Sequence, residues 1–255
     1  MQNEELVNDQ TKAAEILSNI LMELKGLTYP GVSLVMIEEM AERLNKEAGA
    51  EPTFKGYKPE WAKEPFPSAL CASIEFEATH AAPVARSLEE GTIIKYDLGL
   101  KYKSGCADAC ITVPVGSIDN RRQRGIRYCL SALYKGIEQV RAGVPISSIG
   151  KAIEAYCEQN GYQVLKGLVG HHIGTEMHQT PYIPNHYDKA YDGMLLKEGD
   201  VICIEPHITP GKGYIDTWKE DGWTIYAVDK QPVFCFEHMV LVTKDGYKIL
   251  TTWDK

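Results

Sequence analysis

The sequence predicts an α+β protein built from two related halves, and three observations carry that reading. The run Leu88-Glu89-Glu90-Gly91-Thr92-Ile93-Ile94-Lys95-Tyr96-Asp97 matches Leu196-Lys197-Glu198-Gly199-Asp200-Val201-Ile202-Cys203-Ile204-Glu205 at a constant offset of 108. A His-x-x-Pro precedes each run, His80–Pro83 and His178–Pro181. Farther upstream Gly31, Val32, Ile37, Glu42 and Gly49 recur as Gly143, Val144, Ile149, Glu154 and Gly161, all at an offset of 112. A fixed-period match means one supersecondary unit used twice. Finally, within each half the apolar period switches from helical to strand-like.

In chain order, Ala14, Ile16, Leu17, Ile20, Leu21 and Leu24 predict a helix from Thr11 to about Lys25, broken by Pro30-Gly31. Ser33 opens a second helix carrying Leu34, Ile37, Met40, Ala41 and Leu44. Thr92–Leu100 and Cys106–Val115 then read as a hairpin around Lys103-Ser104-Gly105. The second half repeats the plan with helices at Arg122–Arg141 and Ser147–Gln159, broken at Gly143 and Pro145 and closed by Gly161. Asp200–Ile208, Trp223–Val228 and Val233–Thr243 read as strands. Helices outside a curved antiparallel sheet, twice over, make the α+β plan. With no linker-like run, residues 1–255 are expected to form a single domain, its halves roughly 11–118 and 121–250.

Composition excludes several function classes. The net charge of −8 argues against a broad nucleic-acid footprint, which needs clustered excess Lys and Arg. No apolar run reaches ~18 residues, so no membrane span is expected. The acidic start Met1-Gln2-Asn3-Glu4-Glu5 lacks the layout of a signal peptide. Seven cysteines with no CxxC pair then read as free thiols in a reducing cytoplasm. Cys106 and Cys110 share a strand face, which gives a thiol metal site only weak support.

Four acids are tied to apolar strands: Asp97, Asp108, Glu205 after Val201–Ile204, and Glu237 after Val233–Phe236. A single acid at a strand end normally faces solvent. Four in such settings need cations to offset desolvation, which implies hard oxygen ligation of divalent ions. Gly170–Pro181 adds His171, His172 and His178 within eight residues. His171 lies outside the repeat and is the natural asymmetric ligand, while His172 points elsewhere if the stretch is extended. Two cations held this way are not equivalent.

The ordered set Asp97, Asp108, His171, Glu205 and Glu237, with Ile204-Glu205-Pro206 and Phe236-Glu237-His238 around it, resembles the metallopeptidases of the pita-bread fold. Within them it is most similar to the type I methionine aminopeptidases, over nearly the whole chain. The length leaves no room for the helical insertion of the type II enzymes. The resemblance implies a pseudo-two-fold curved sheet covered by two pairs of helices, and two divalent ions, Co, Mn, Fe or Zn. Asp97 would bind one ion, Asp108 and Glu237 would bridge, and His171 and Glu205 would complete the other shell. Glu205 would also serve as general base on an activated water. His178 would stabilise the oxyanion and His80 would contact the scissile amide nitrogen. Thr112 matches a family threonine near the metals. The implied substrates are peptide or nascent-protein N-termini; a ribosome contact is not legible.

The chain departs from that family pattern at several positions. Thr79 stands where Cys is usual, Ala81-Ala82 replace Gly-Ile, Met177 replaces an aromatic, and Gln179 a Glu. His172 replaces a Gly, and Glu75 an Asn near a loop that can bind a monovalent cation. Thr79, Met177 and Trp223 lie where the family builds its S1 pocket. From histidine to acid the first half uses 17 positions and the second 27, the excess including Asn185–Gly193. Such a loop is by default a connection, with the substrate side of the cleft as its alternative place. Two other readings remain: an Xaa-Pro peptidase of the same fold, and a non-catalytic binding protein on that scaffold.

Overall fold

The computed structural model describes residues 4–253. Four helices, α1 Glu4–Gly26, α2 Leu34–Glu47, α3 Asn120–Ile137 and α4 Ser147–Gln159, lie outside antiparallel sheets. In the first half β1 Glu51–Pro52, β2 Leu70–Ile74, β3 Glu77–Thr79, β4 Ile93–Tyr102 and β5 Gly105–Pro114 follow the helices. In the second half come β6 Gln163–Val164, β7 Val169–His172, β8 Gln179–Pro184, β9 Val201–Ile204 and β10 His207–Thr209. They are followed by β11 Ile215–Thr217, β12 Ile225–Ala227, β13 Phe234–Cys235, β14 His238–Val242 and β15 Tyr247–Ile249. Strand β4 pairs with β1, β2 and β5, and the second main sheet runs β15-β14-β9-β7-β8. Two smaller sheets, β13-β10-β6 and β11-β12-β3, close the ends. This is the α+β pita-bread architecture.

The repeat survives at the level of single hydrogen bonds. Gly31 N donates to Leu88 O at 2.8 Å, and Gly143 N to Leu196 O at 2.8 Å. The bridge Ser33↔Ser87 recurs as Pro145↔Leu195. Gly91 and Gly199, which open β4 and β9, have φ of 85° and 88°, a region glycine enters without strain. One apolar cluster runs through both halves, from Leu17 and Leu21 of α1 through Ile94 and Leu98 to Ile149, Ile202 and Val240.

Element boundaries differ from the sequence reading where polar contacts decide them. Helix α1 is already formed at Glu4, ahead of the expected Thr11, and its first turns dock on the hairpin: Asp9 Oδ2 accepts from the Ser104 hydroxyl at 2.8 Å. Helix α3 ends at Ile137, not Arg141. The expected strand 200–208 breaks at Glu205-Pro206, since proline offers no N–H to a ladder. The expected strand 223–228 starts at Ile225, because Asp221 Oδ1 takes the amides of Trp223 and Thr224. The expected strand 233–243 breaks at Phe236-Glu237, where the Glu237 amide crosses to Cys110 O at 2.9 Å. Two acids therefore sit at joints between strands.

Candidate active site

The β4–β5 register opposes Lys95 to Thr112, Asp97 to Cys110 and Gly99 to Asp108. All six share one face of the hairpin, since alternate strand residues point the same way. A Cβ at Gly99 would lie 2.5 Å from the Phe54 ring and 2.6 Å from the Met177 methyl, so glycine lets these side chains close over the face. The Val233–Glu237 segment crosses this face. Thr112 Oγ1 donates to Cys235 O at 2.6 Å and accepts from Cys235 N at 3.0 Å. The crossing brings oxygens of Asp97, Asp108 and Glu237 within 4.8 Å of one another. Gly170 lets β7 approach β9, where a Cβ would meet Cys203 O at 2.1 Å. His171 consequently reaches across, its Nε2 3.6 Å from Asp108 Oδ2 and 3.9 Å from Glu205 Oε1. The structure thus brings all five residues of the expected set together. His172 turns away, its Nδ1 2.7 Å from Pro181 O.

The electrostatics of this cluster are those of a cation site. Burial, and then repulsion by its neighbours, holds the Asp97, Glu205 and Glu237 carboxyls well above the usual carboxylate range; burial does the same at Asp108. Among the described residues no lysine or arginine pairs with any of the four. Asp108 Oδ1 and Glu237 Oε1 are buried without a hydrogen-bond partner. Such orphaned oxygens are costly unless a cation or proton meets them. Burial pushes His171 down to about 4, so its ring is neutral at physiological pH. Its Nδ1 lies 3.0 Å from His172 O and donates to it, leaving the Nε2 lone pair facing the acids. Oxygen-rich donors with one imidazole suit divalent first-row ions. Cys203 also lies in reach of His171 and Glu237, but burial pushes its thiol well above the ordinary value.

A model of metallopeptidase family M24 matches residues 9–244. The chain belongs to that family. Methionine aminopeptidase 1 of Bacillus subtilis is 35% identical over 240 residues, 94% of each chain. The crystal structure of methionine aminopeptidase from Rickettsia prowazekii superposes with a TM-score of 0.93 at 30% identity, covering 99% of both chains. The prolidase from Pyrococcus furiosus, at 23% identity and a TM-score of 0.78, shares the fold; this chain covers 66% of it.

In this M24 chain the acids and His171 line the floor of a cleft of about 350 Å³. Its walls hold His80, His178, Thr79 and Trp223. His178 stands over the floor, with its ring centroid 4.6 Å from that of His171. His80 has φ of 58°, a left-handed backbone rare outside glycine that marks a constrained position. Burial lowers His80 to about 4 and, like the neighbouring His171, holds His178 below the imidazole range. Thr79 Oγ1 donates to Asp97 Oδ2 at 3.3 Å, so it orients an acid as well as lining the wall. Met177 does not take its expected place. It is buried in the main core against Gly99 and Phe54 and is absent from the cleft wall.

Sequence reasoning missed most of the wall. Phe54, Tyr57, Trp61 and Phe66 come from the segment between β1 and β2, with no periodicity to reveal them. Trp61 and Phe66 pack edge-on against Trp223 at 4.9 and 5.2 Å, and Tyr57 lies 5.6 Å from His178. The Asn185–Gly193 insertion goes elsewhere. Tyr187 N donates to Glu154 Oε2 on α4, and His186 O packs against Gly150 of the same helix. Just before it, Tyr182 does reach the cleft. His207, also missed, backs Glu205 at 4.0 Å.

Proposed function

We propose that this chain is a metal-dependent aminopeptidase that removes methionine from the N-terminus of peptides and proteins. The carrying observation is the buried, cation-free cluster of four acids and one neutral imidazole at the floor of a cleft with two further histidines on its walls. On this reading residues 1–255 act as one metallopeptidase domain in the cytoplasm. Among the described residues no helix is long and apolar enough to cross a membrane.

Asp97, Asp108, His171, Glu205 and Glu237 would hold two divalent ions, of Mn, Fe, Co or Zn. When bound, such ions supply the Lewis acidity that makes water a nucleophile near neutral pH. Glu205, more open than Asp108 or His171, accepts the proton of the attacking water. His178, neutral at physiological pH, donates to the carbonyl oxygen as charge develops there. His80, also lining the cleft, faces the leaving amide nitrogen. One residue before the scissile bond would occupy the cleft, its free α-amino group directed at the acids. Trp223, Phe66 and Trp61 give that residue an apolar wall suited to a thioether.

The Xaa-Pro alternative is disfavoured, because the relatives that align over nearly all of both chains at above 30% identity are methionine aminopeptidases. The non-catalytic alternative is disfavoured because all five ligand positions are filled. Chelator-stripped protein offered Met-Ala-Ser and Ala-Pro peptides, with Mn²⁺, Co²⁺ or Fe²⁺ added back, tests the proposal. Metal-restored release of methionine is expected. No release would sink it, and release only before proline would select the alternative.

A further inference from the structure

Lys95 lies two residues before Asp97 in β4, inside the run Ile93-Ile94-Lys95-Tyr96, and is 1% exposed. Lysines are almost never fully buried unless their charge is met. Here Nζ donates to two backbone carbonyls, Glu75 O at 2.8 Å and Val233 O at 2.9 Å. The nearby carboxylates are committed elsewhere: Arg122 holds Glu75 in two bonds of 2.9 Å, and Arg86 holds Glu77 at 2.7 and 2.6 Å. The ammonium is therefore met by backbone dipoles, as an alkali cation would be.

Both carbonyls belong to segments that carry site residues. Glu75, with φ of 51°, forms the turn between β2 and β3, and β3 runs directly into His80. Val233 leads into Cys235 and Glu237. These alternate residues dock in step on the β4–β5 face: Val233 on Lys95, Cys235 on Thr112, Glu237 beside Asp108. Val233 N also donates to Glu75 O at 3.0 Å, so the two segments meet at the ammonium.

We propose that Lys95 is a built-in cation, occupying the backbone carbonyls of the Glu75 turn and the Val233 segment in place of a free monovalent ion, and thereby positioning His80 and Glu237 against Asp97. The resemblance implies a monovalent-cation loop near Glu75. The residues present do not fit a free ion there, because the ammonium already takes the carbonyls. Lys95 touches neither the divalent-ion cluster nor the cleft, so it is a positioning residue.

The inference rests on the proposed hydrolysis only for its turnover readout; Mn²⁺ titration by calorimetry needs no turnover. Replacing Na⁺ and K⁺ with tetramethylammonium, too bulky for the niche, is expected to leave wild-type kcat/KM and Mn²⁺ affinity unchanged. Lys95→Met keeps the stem and removes the donors, and is expected to lower Mn²⁺ affinity and kcat by roughly 10–100-fold, as outer-shell changes do. In Lys95→Ala, propylammonium restores Mn²⁺ affinity and n-propanol does not. A wild-type requirement for Na⁺ or K⁺, Mn²⁺ affinity and kcat unchanged in Lys95→Met, or equal rescue by propanol would each overturn the proposal. If the variants do not fold, the wild-type cation exchange still decides. Normal Mn²⁺ responses without methionine release would sink the hydrolysis reading and leave this one standing.

Discussion

In the first half the residue two positions before the strand acid is Lys95, and in the second it is Cys203; both are buried. The spacing that relates His80 to His178 also relates Ser73 to His171. Ser73 Oγ does no more than accept the Ala81 amide at 3.4 Å, whereas His171 faces Asp108 and Glu205. The backbones leading into β4 and β9 repeat hydrogen bond for hydrogen bond. Duplication therefore supplied a symmetric frame, and two exchanges gave it direction. One half received an ammonium among carbonyls, the other an imidazole among acids.

The largest expected effects come from destroying the shared floor. Asp108→Ala removes an acid that lies with Asp97 and Glu237 and also faces His171. Turnover should fall by roughly a thousandfold or more, as when one member of a cooperating catalytic set is lost. His171→Ser rewrites the second half as the first. Its Mn²⁺ affinity, read by calorimetry, should drop by at least ~100-fold, beyond the usual outer-shell loss. Retained affinity would mean the asymmetry lies elsewhere.

The paired histidines should separate binding from chemistry. His178→Ala should lower kcat by roughly 10²–10³, the loss typical of one oxyanion donor. His80→Ala should lower it by roughly 10². Both should bind Mn²⁺ as wild type does. Normal turnover in His80→Ala would show that only the second copy of the pair is used.

The frame was legible in the sequence because symmetry is written in spacing. The repeat located β4 and β9, and Gly91 and Gly199 behave as equals. The four floor acids were legible because a charge tied to an apolar strand is improbable without a partner, and His171 because it breaks the repeat. Lys95 obeyed the same rule inside Ile93–Tyr96 and was overlooked, since its partners are carbonyls that leave no trace in sequence. The aromatic wall was not legible either. Gly49 is followed by a long irregular segment before β2, and Gly161 by a short one before β7. That first-half excess faces the cleft, while the second-half excess at Asn185–Gly193 packs on α4. Spacing showed where chain was added, not which way it folded.

A pH effect of about tenfold per unit is the next in size. The floor carboxyls keep their protons well above the usual range. Folded metal-free protein then binds more protons than the unfolded chain, so its stability falls as pH rises. His80 and His171, lowered to about 4, act oppositely, but only below their unfolded pKa of about 6.5. Between pH 7 and 7.5, below the titration of Lys95 (lowered by burial to about 8 and acting oppositely) and of the unfolded chain's thiols, the carboxyl effect leads. Melts of chelator-stripped protein should show Tm falling over that window, and Mn²⁺ affinity should rise as bound protons are displaced. A flat profile would mean these acids are already ionised without metal.

The smallest effects test which half builds the wall. Trp61 is 62% exposed and stacks edge-on with Trp223, so it joins a first-half loop to a second-half residue. Such an aromatic contact is worth about 0.5–1.5 kcal/mol, so Trp61→Ala should raise KM for Met-Ala-Ser by roughly twofold to tenfold with kcat held. Met177 sits behind the wall, against Gly99 and Phe54. A volume-conserving Met177→Leu costs less than ~1.5 kcal/mol of stability and should leave KM and the methionine preference untouched. If instead Met177→Leu shifts that preference while Trp61→Ala does not, the wall belongs to the second half. The first-half loop would then be only a cover for Trp223.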